Sequence, residues 1–222
     1  MSGVGAREPA GPRTTYDPDC TRCARLAAFL EEQRARHPAY FNAPVPAFGD
    51  PSARLLIVGL APGRHGANAS GRPFTGDFAG SVLYRTLFEL GLCTRPESTS
   101  ADDGLALLGC AITNAVKCLP PQNKPTTAEV QTCNAYLQAE LAALPRGAVV
   151  LALGGIAHGA VLRAFALRLS AHRFGHGSVH ALPGGRTLVD AYHCSRYNIQ
   201  TGRLTPALFA EAVAVAKALI VR

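Results

Sequence analysis

Short apolar runs alternate along the chain with segments in which apolar residues recur every three or four positions. Four runs predict strands at residues 54–60, 107–116, 148–153 and 187–191. Continuous apolar runs are typical of strands that are covered on both faces. Helical spacing predicts helices from Leu26 to about His37, then over 82–90, 126–144, 155–169 and 205–219.

This alternation predicts an α/β fold, a three-layer α/β/α arrangement around a central, mainly parallel, four-stranded sheet. Residues 1–18 are rich in Gly, Pro and Arg, so we expect them to form a flexible tail. No interior stretch has the composition of a linker, so residues 19–222 are expected to form a single domain.

Three loops follow predicted strands, at residues 61–80, 117–125 and 193–202. Ligands of such sheets bind beyond the carboxyl ends of the strands. We therefore expect these loops to converge on one cleft.

Composition narrows the class of protein. Of the 222 residues, 48% are hydrophobic and 17% are charged, which indicates a globular chain. No apolar run reaches the roughly 18 residues of a spanning helix. The N-terminus has no apolar core of a secretory signal, so a cytoplasmic location is expected.

The chain is basic, with a formal net charge of +7. Such a charge is frequent in proteins that bind polyanions, although a merely basic surface explains it equally well. Arginines are spread along the sequence without a polybasic tail. This distribution favours a basic groove on a folded domain over a disordered nucleic-acid-binding arm.

Seven cysteines include two pairs that can complete one site. Cys20 and Cys23 have the spacing C-x2-C, and Cys118 and Cys133 the spacing C-x14-C. Four thiolates suit Zn²⁺ or an iron–sulfur cluster, and the wide second spacing tilts the balance only slightly toward [4Fe–4S]. Incidental buried thiols are the remaining interpretation. Cys110, within an apolar run, is expected in the core.

The loop after the first strand contains neither a P-loop nor a dinucleotide-binding fingerprint. Its glycines let the backbone approach a flat or anionic ligand closely. Phe74 is either a stacking platform for a base or a plug of the core. Asp77 starts the next predicted helix, so it is either a polar site residue or a helix N-cap.

Histidines occur in two further loops. His193 follows the last strand with Ser195, Arg196 and Asn198 close by, a composition that suits a polar site. His172, His176 and His180 are spaced by four, but glycines at 175 and 177 break any helix there. A loop without a metal site is therefore predicted for these three histidines.

Three stretches occur in order: Gly59-Leu-Ala-Pro-Gly63 with Phe-Thr-Gly-Asp77, Thr113-Asn-Ala-Val-Lys-Cys-Leu-Pro-Pro-Gln-Asn123, and His193-Cys-Ser-Arg-Tyr-Asn198 before Thr-Gly-Arg. Together they resemble the uracil-DNA glycosylase superfamily, and within it family 5 of the iron–sulfur, thermophile-type branch. The resemblance extends from Cys20 onward. It implies the glycosylase-like version of the α/β/α fold.

The activity that this resemblance implies is DNA repair. Such an enzyme hydrolyses the N-glycosidic bond of uracil in DNA and leaves an abasic site, the first step of base excision repair. Other deaminated bases such as hypoxanthine are expected as further substrates. Double- and single-stranded DNA are the implied partners, with no membrane, for a monomer in the bacterial cytosol or nucleoid.

The resemblance also implies a [4Fe–4S] cluster as cofactor, and it assigns residue roles. His193 is expected to donate to the O2 atom of the leaving base, and Asp77 to orient water or steady the sugar cation. Arg196 and Tyr197 are expected to form a wedge in the DNA. The cluster ligands are Cys20, Cys23, Cys118 and Cys133, and the expected base-binding residues are Gly59, Leu60, Ala61, Phe74, Asn114, Asn123 and Asn198.

Two positions depart from the superfamily pattern. Leu60 stands where other branches have a polar residue, which favours family 5 and moves the polar role to Asp77. Cys194 stands where the last motif usually has Pro or Val. The alternatives are a uracil-only glycosylase like family 4, a non-catalytic iron–sulfur DNA-binding or sensor protein, and a zinc-bound structural module.

Overall fold

The computed structural model describes residues 16–220 and contains one six-stranded mixed sheet. Its strands are β1 (Phe48–Gly49), β2 (Leu55–Gly59), β3 (Cys110–Asn114), β4 (Val149–Leu153), β5 (Val179–Leu182) and β6 (Arg186–Ala191). Their order is β1-β3-β2-β4-β6-β5. The central strands β3, β2, β4 and β6 are parallel, and β1 and β5 pair antiparallel at the two edges.

Helices cover both faces of the sheet. They are α1 (Ala24–Arg36), α2 (Ala67–Ser70), α3 (Phe78–Glu89), α4 (Thr127–Ala143), α5 (Gly155–Ala164), α6 (Arg196–Gln200) and α7 (Pro206–Ala218). Residues of α1, α4 and α5 pack with Leu56 and Val58 of β2. Residues of α3 and α7 pack with the alternate positions, Leu55 and Ile57. The predicted three-layer α/β/α fold is confirmed.

The prediction of four strands is wrong in number. The four apolar runs form the central parallel strands, and the sequence pattern missed both edges. β1 has only two residues, and β5 lies at an edge where Val179 is half exposed, so neither forms a continuous apolar run. Edge strands lack the burial that produces such a run.

Two further boundaries differ from the prediction. Strand β3, the second of the predicted strands, spans Cys110–Asn114 and is shorter than the predicted 107–116. Helix α5 ends at Ala164 rather than near residue 169. Ala166 has a left-handed backbone with φ 55°, and the Leu167 amide donates back to the Leu162 carbonyl, which closes the helix.

Residues at the N-terminal end of the described chain contact the domain. Tyr16, within the segment predicted as a tail, donates its hydroxyl to the Pro44 carbonyl at 2.7 Å. Residues 1–15 of that predicted tail lie outside the described residues. Across residues 16–220, none of the helices has the length and apolar character needed to cross a membrane.

A buried ion pair anchors the segment between α2 and α3. Arg72 donates to Asp103 at 2.7 Å and to the Ser98 hydroxyl at 3.0 Å, and its guanidinium lies 4.3 Å from the Phe48 ring centroid. The Ser98 and Thr75 hydroxyls share a further hydrogen bond of 2.7 Å. These contacts fix the residues on both sides of Phe74.

We predict that Asp103→Ala lowers the free energy of unfolding by about 3–5 kcal/mol, because it leaves a buried guanidinium without its carboxylate. Burial raises the pKa of Asp103, but hydrogen bonds from Arg72 and from backbone amides outweigh it and lower the pKa below its usual range. The stabilisation is therefore present above the unfolded-state pKa of about 3.9 and is lost as the pH falls below it. Denaturant unfolding at several pH values measures both effects.

Arg85→Ala is the matched control, because it removes the exposed Arg85–Glu97 pair at 3.5 Å. Exposed pairs contribute about 0–1 kcal/mol. Equal losses in the two variants would contradict a special role for the buried pair.

Candidate functional site

A cavity of about 350 Å³ lies beyond the carboxyl ends of the parallel strands. It receives residues from the segment after β2, from the end of β3 and the loop beyond it, and from the loop after β6. The three loops expected to converge therefore do so. The lining residues are Leu60, Ala61, Gly63, Ala67, Phe74, Asp77, Ala79, Asn114, Asn123, His193 and Ser195.

Phe74 is buried on the cavity wall in a left-handed backbone conformation, with φ 58°. A Cβ on Gly59 would lie 2.7 Å from the Phe74 ring, so β2 must end in glycine for the ring to fit. A Cβ on Gly80 would lie 1.6 Å from the Phe74 carbonyl oxygen. Tight backbone packing thus holds a conformation that non-glycine residues rarely adopt.

Asp77 combines the two roles that the sequence left open. As the N-cap of α3, it accepts a hydrogen bond from the Gly80 amide to Oδ1 at 2.8 Å. Its carboxylate also lines the cavity, and Oδ2 packs against Gly63 and Gly66. Burial raises the pKa of Asp77, while hydrogen bonds from the Gly80 and Ala79 amides act in the opposite direction.

Asn114 is the last residue of β3, and its side-chain oxygen is buried without a hydrogen-bond partner. A buried acceptor without a partner is unfavourable, which suits an atom reserved for a ligand. Asn123 reaches the cavity from the loop after β3, where it and Gln122 both have φ 56°.

His193 lies opposite Phe74, with ring centroids 5.8 Å apart and planes inclined by 26°. Burial lowers the pKa of His193 to about 4, so the imidazole is neutral near pH 7. Asn198 was expected to line the cavity, but it does not. Its side-chain amide Nδ2 instead donates to the His193 carbonyl at 2.8 Å. It therefore positions the His193 backbone.

Arg196 and Tyr197 occupy the first turn of α6, outside the cavity lining. The Ser195 hydroxyl caps this helix by accepting a hydrogen bond from the backbone N–H of Asn198. The Arg196 guanidinium lies 5.3 Å from the Phe78 ring centroid, and Tyr197 is 71% exposed. Both side chains are thus available to a large partner that approaches the cavity.

The four paired cysteines share a second, smaller cavity. Cys20 and Cys23 lie directly before α1, Cys118 lies between β3 and α4, and Cys133 lies within α4. The Lys117 amide donates to the Cys133 sulfur at 3.3 Å. Four sulfur atoms from separate segments at one cavity are a donor set for a metal centre. Cys110 is fully buried in the core.

Lys117, in a loop that was expected at the cleft, is buried instead. Its ammonium donates to Glu140 of α4 at 2.7 Å and to the Thr113 hydroxyl. The Lys117 side chain is 2% exposed and that of Glu140 9% exposed. The pair joins the end of β3 to α4 beside Cys118 and Cys133. The sequence did not predict the contact between Lys117 and Glu140, because a single lysine near a strand end does not indicate its partner.

The sequence was compared with family models and with known proteins. The sequence model of the "Uracil DNA glycosylase superfamily" matches residues 46–217. The chain is 51% identical over 205 residues to the type-5 uracil-DNA glycosylase of Thermus thermophilus, covering 90% of this chain and 93% of that protein. Identity to the type-5 enzyme of Pyrobaculum aerophilum is 42%, covering 91% and 92%.

Similarity to a type-4 relative is weaker. The type-4 uracil-DNA glycosylase of Archaeoglobus fulgidus is 36% identical over 127 residues, covering 57% of this chain and 56% of that protein.

We predict that the His193 imidazole titrates near pH 4 rather than near its ordinary value of about 6.5. Burial disfavours the charged ring, and no carboxylate contributes to the shift. Histidine NMR resonances recorded against pH measure it, with the His193 signal assigned by its loss in His193→Gln. A midpoint close to 6.5 would contradict the buried, neutral imidazole.

Proposed function

The chain belongs to the uracil-DNA glycosylase superfamily, and we propose that it hydrolyses the N-glycosidic bond of uracil in DNA, leaving an abasic site for base excision repair. The observation that carries the proposal is the meeting of Phe74, Asp77 and His193 around one cavity. The cavity is near the lower end of the range for small-molecule sites, about 300–1,000 Å³. This size suits one base with part of its sugar.

The uracil nucleotide must leave the stacked double helix before its base can enter the cavity. An enzyme cannot reach a glycosidic bond inside stacked DNA, so it rotates the nucleotide outward at a cost of a few kcal/mol. The Phe74 ring offers a face on which the flipped base stacks. The unpartnered Asn114 oxygen accepts a hydrogen bond from the N3–H of uracil, and the backbone of Gly59–Ala61 contacts the base edge.

Bond cleavage leaves the electron pair of the C1′–N1 bond on the base, so negative charge spreads to its O2 atom. A donor aimed at O2 stabilises the transition state more than the ground state. His193 performs this role as a neutral imidazole, since its lowered pKa keeps it uncharged. A neutral donor stabilises the anion without first requiring a buried cation.

Asp77 acts on the other side of the bond. Its carboxylate faces the cavity, where it steadies the positive charge on the sugar and orients the attacking water. The water oxygen bonds to C1′ as the C1′–N1 bond breaks. One water proton stays on the new C1′ hydroxyl, and the other passes through Asp77 or solvent to the departing base. Burial raises the pKa of Asp77, which improves it as a proton acceptor.

The cavity also supports a broader substrate range. Leu60, Ala61, Ala67 and Phe74 make the wall formed by the segment after β2 apolar, so that wall offers a base no side-chain hydrogen bond from these four residues. Rejecting a base requires a group that the wrong base leaves unpaired or clashes with. We therefore extend the proposal to other deaminated bases, hypoxanthine first, in single- or double-stranded DNA.

The test of function is direct. Purified protein is incubated with oligonucleotides that carry uracil, hypoxanthine, xanthine or no damage, and abasic sites are detected by alkaline strand cleavage. Cleavage at uracil is expected, with hypoxanthine second. Binding of uracil-containing DNA without any abasic product would overturn the enzyme assignment and favour a non-catalytic DNA-binding protein.

The cysteine cavity fits a [4Fe–4S] cluster, which when bound would supply a structural cross-link. In the described part of the chain, the group of His158, His180 and Asp190 is the one that brings three ligand atoms within 4.8 Å. A structural zinc site usually has two tight cysteine pairs, whereas here the second pair has the wide spacing C-x14-C. This spacing favours a cluster over a single zinc ion.

The remaining parts of the proposal concern context. We infer that the enzyme works as a monomer in the cytoplasm, because the cavity within one chain already holds the stacking ring, the carboxylate and the imidazole that the proposed reaction uses, and a bacterial relative is a uracil-DNA glycosylase, whose substrate lies in that compartment. The net charge of +7 suits a DNA-binding surface.

We predict that Asp77→Asn and His193→Ala lose cleavage while retaining DNA binding. Removing an oxyanion donor lowers the rate about 10²–10³-fold, and removing a catalytic base about 10²-fold or more. Asparagine caps helices nearly as well as aspartate, so Asp77→Asn preserves the α3 cap. Single-turnover cleavage of uracil-containing DNA, with thermal melting alongside, separates chemistry from stability. Wild-type cleavage by Asp77→Asn would leave the cap as its only role.

We predict that Arg196→Ala weakens capture of duplex substrate more than of single-stranded substrate, because only the duplex needs its vacated stack filled. Binding affinity for both substrates is measured over a range of salt, since phosphate contacts make log K fall linearly with log salt. Arg36→Ala, an exposed arginine of α1, is the control. Equal losses on both substrates would exclude the wedge role.

We predict about four iron atoms per chain in anaerobically purified protein. Cys20→Ala is expected to lose iron and soluble yield, because the ligands join distant segments. Cys110→Ala is the control, as Cys110 lies in the core outside the cysteine cavity. Elemental analysis that finds zinc and no iron would contradict the cluster.

A further inference from the structure

Three side chains from different elements meet at the edge of the sheet that is formed by β6 and β5. His158 of α5 places Nδ1 2.8 Å from Asp190 Oδ1, and His180 of β5 places Nε2 3.1 Å from Asp190 Oδ2. One ligand atom from each residue lies within 4.8 Å of the other two. None of the three lines the cavity that contains His193.

The central carboxylate needs a positive partner. Asp190 is fully buried, His158 is 2% exposed and the His180 side chain is 13% exposed. Among the described residues, the ion-pair partners of Asp190 are these two histidines and no lysine or arginine. An isolated buried carboxylate is strongly unfavourable, so either a protonated imidazole or a bound cation must balance it.

The outer nitrogen of His158 indicates how the ring is arranged. Nε2 lies 2.8 Å from the His172 carbonyl oxygen. A carbonyl only accepts, so Nε2 carries a hydrogen and Nδ1 is the ring atom that faces Asp190. Without a metal ion Nδ1 also carries a hydrogen and donates it to Asp190; a bound metal ion would replace that hydrogen and release it as a proton. Metal-bound histidines typically donate their other N–H to a carbonyl or carboxylate in this way, which fixes the ring.

We propose that His158, His180 and Asp190 form a binding site for a divalent transition-metal ion, of which Zn²⁺ fits the ligands best. Two imidazoles and one carboxylate are a common zinc donor set, and a water molecule completes the tetrahedron on the partly exposed side of His180. The nearest further imidazole is His172, whose ring centroid lies 5.7 Å from that of His180.

A metal ion here joins three elements of the sheet edge. β5 is the edge strand beside β6, and its Val179 is half exposed, so a metal ion would give this strand a fixed link to α5. β6 continues directly into the loop of His193. The sequence predicted no metal among the histidines spaced by four because glycines at 175 and 177 break any helix there. The two partners of His180 in this site, His158 and Asp190, come from other elements, which the spacing of the histidines does not reveal.

The experiment counts zinc in three proteins prepared identically: wild type, His180→Ala and His176→Ala. His176 belongs to the same loop region, but its imidazole contacts Leu208 and Tyr192 instead. Each protein is equilibrated with Zn²⁺, dialysed against a weak competing chelator, and analysed for zinc and iron per chain. Zinc held by cysteines is common to all three and cancels in the comparison.

Wild type and His176→Ala are expected to retain one more zinc per chain than His180→Ala, whose affinity falls at least about tenfold. Added Zn²⁺ should raise the melting temperature of the first two proteins but not of His180→Ala. His180 lies on an edge strand, so this variant is expected to fold; Asp190→Asn is the second test of the same site. Equal zinc content in wild type and His180→Ala would overturn the site and leave a protonated His158–Asp190 pair.

Discussion

The close packing of Phe74 between two glycines is the constraint on which the rest of the site depends. Gly59 at the end of β2 admits the ring, and Gly80 in α3 admits the Phe74 carbonyl. The left-handed backbone of Phe74 survives only because both contacts are tight and because the Arg72–Asp103 pair fixes the preceding turn. Asp77 then falls at the start of α3, with its carboxylate facing the cavity.

Burial sets the chemistry of the two proposed catalytic groups in complementary directions. Burial lowers the pKa of His193 and raises that of Asp77, because it disfavours the charged form of each side chain. In the proposed reaction, charge that develops on the base and on the sugar would therefore meet polar groups that the fold already holds in place. In such surroundings, a correctly placed donor stabilises a transition state far more than it would in water.

The sequence predicted the central layers and the cavity because both depend on local signals. Apolar runs mark the buried parallel strands, and strand ends bring loops together, so Phe74, Asp77, Asn114 and His193 were placed at one edge. The edge strands were missed because half-exposed residues carry no continuous apolar run.

Contacts between distant residues explain the other differences. Asn198 supports the His193 backbone, Lys117 pairs with Glu140, and Asp190 pairs with His158 across α5 and β6. Each of these contacts depends on which helices and strands become neighbours in the fold. The spacing of residues along the sequence does not predict those neighbours.

The most direct test of the account is a crystal structure of Asp77→Asn bound to duplex DNA with one uracil. The account predicts the uracil flipped into the cavity, stacked on Phe74, with its O2 within hydrogen-bonding distance of His193. A uracil still stacked in the duplex, or a flipped base with O2 turned away from His193, would contradict it.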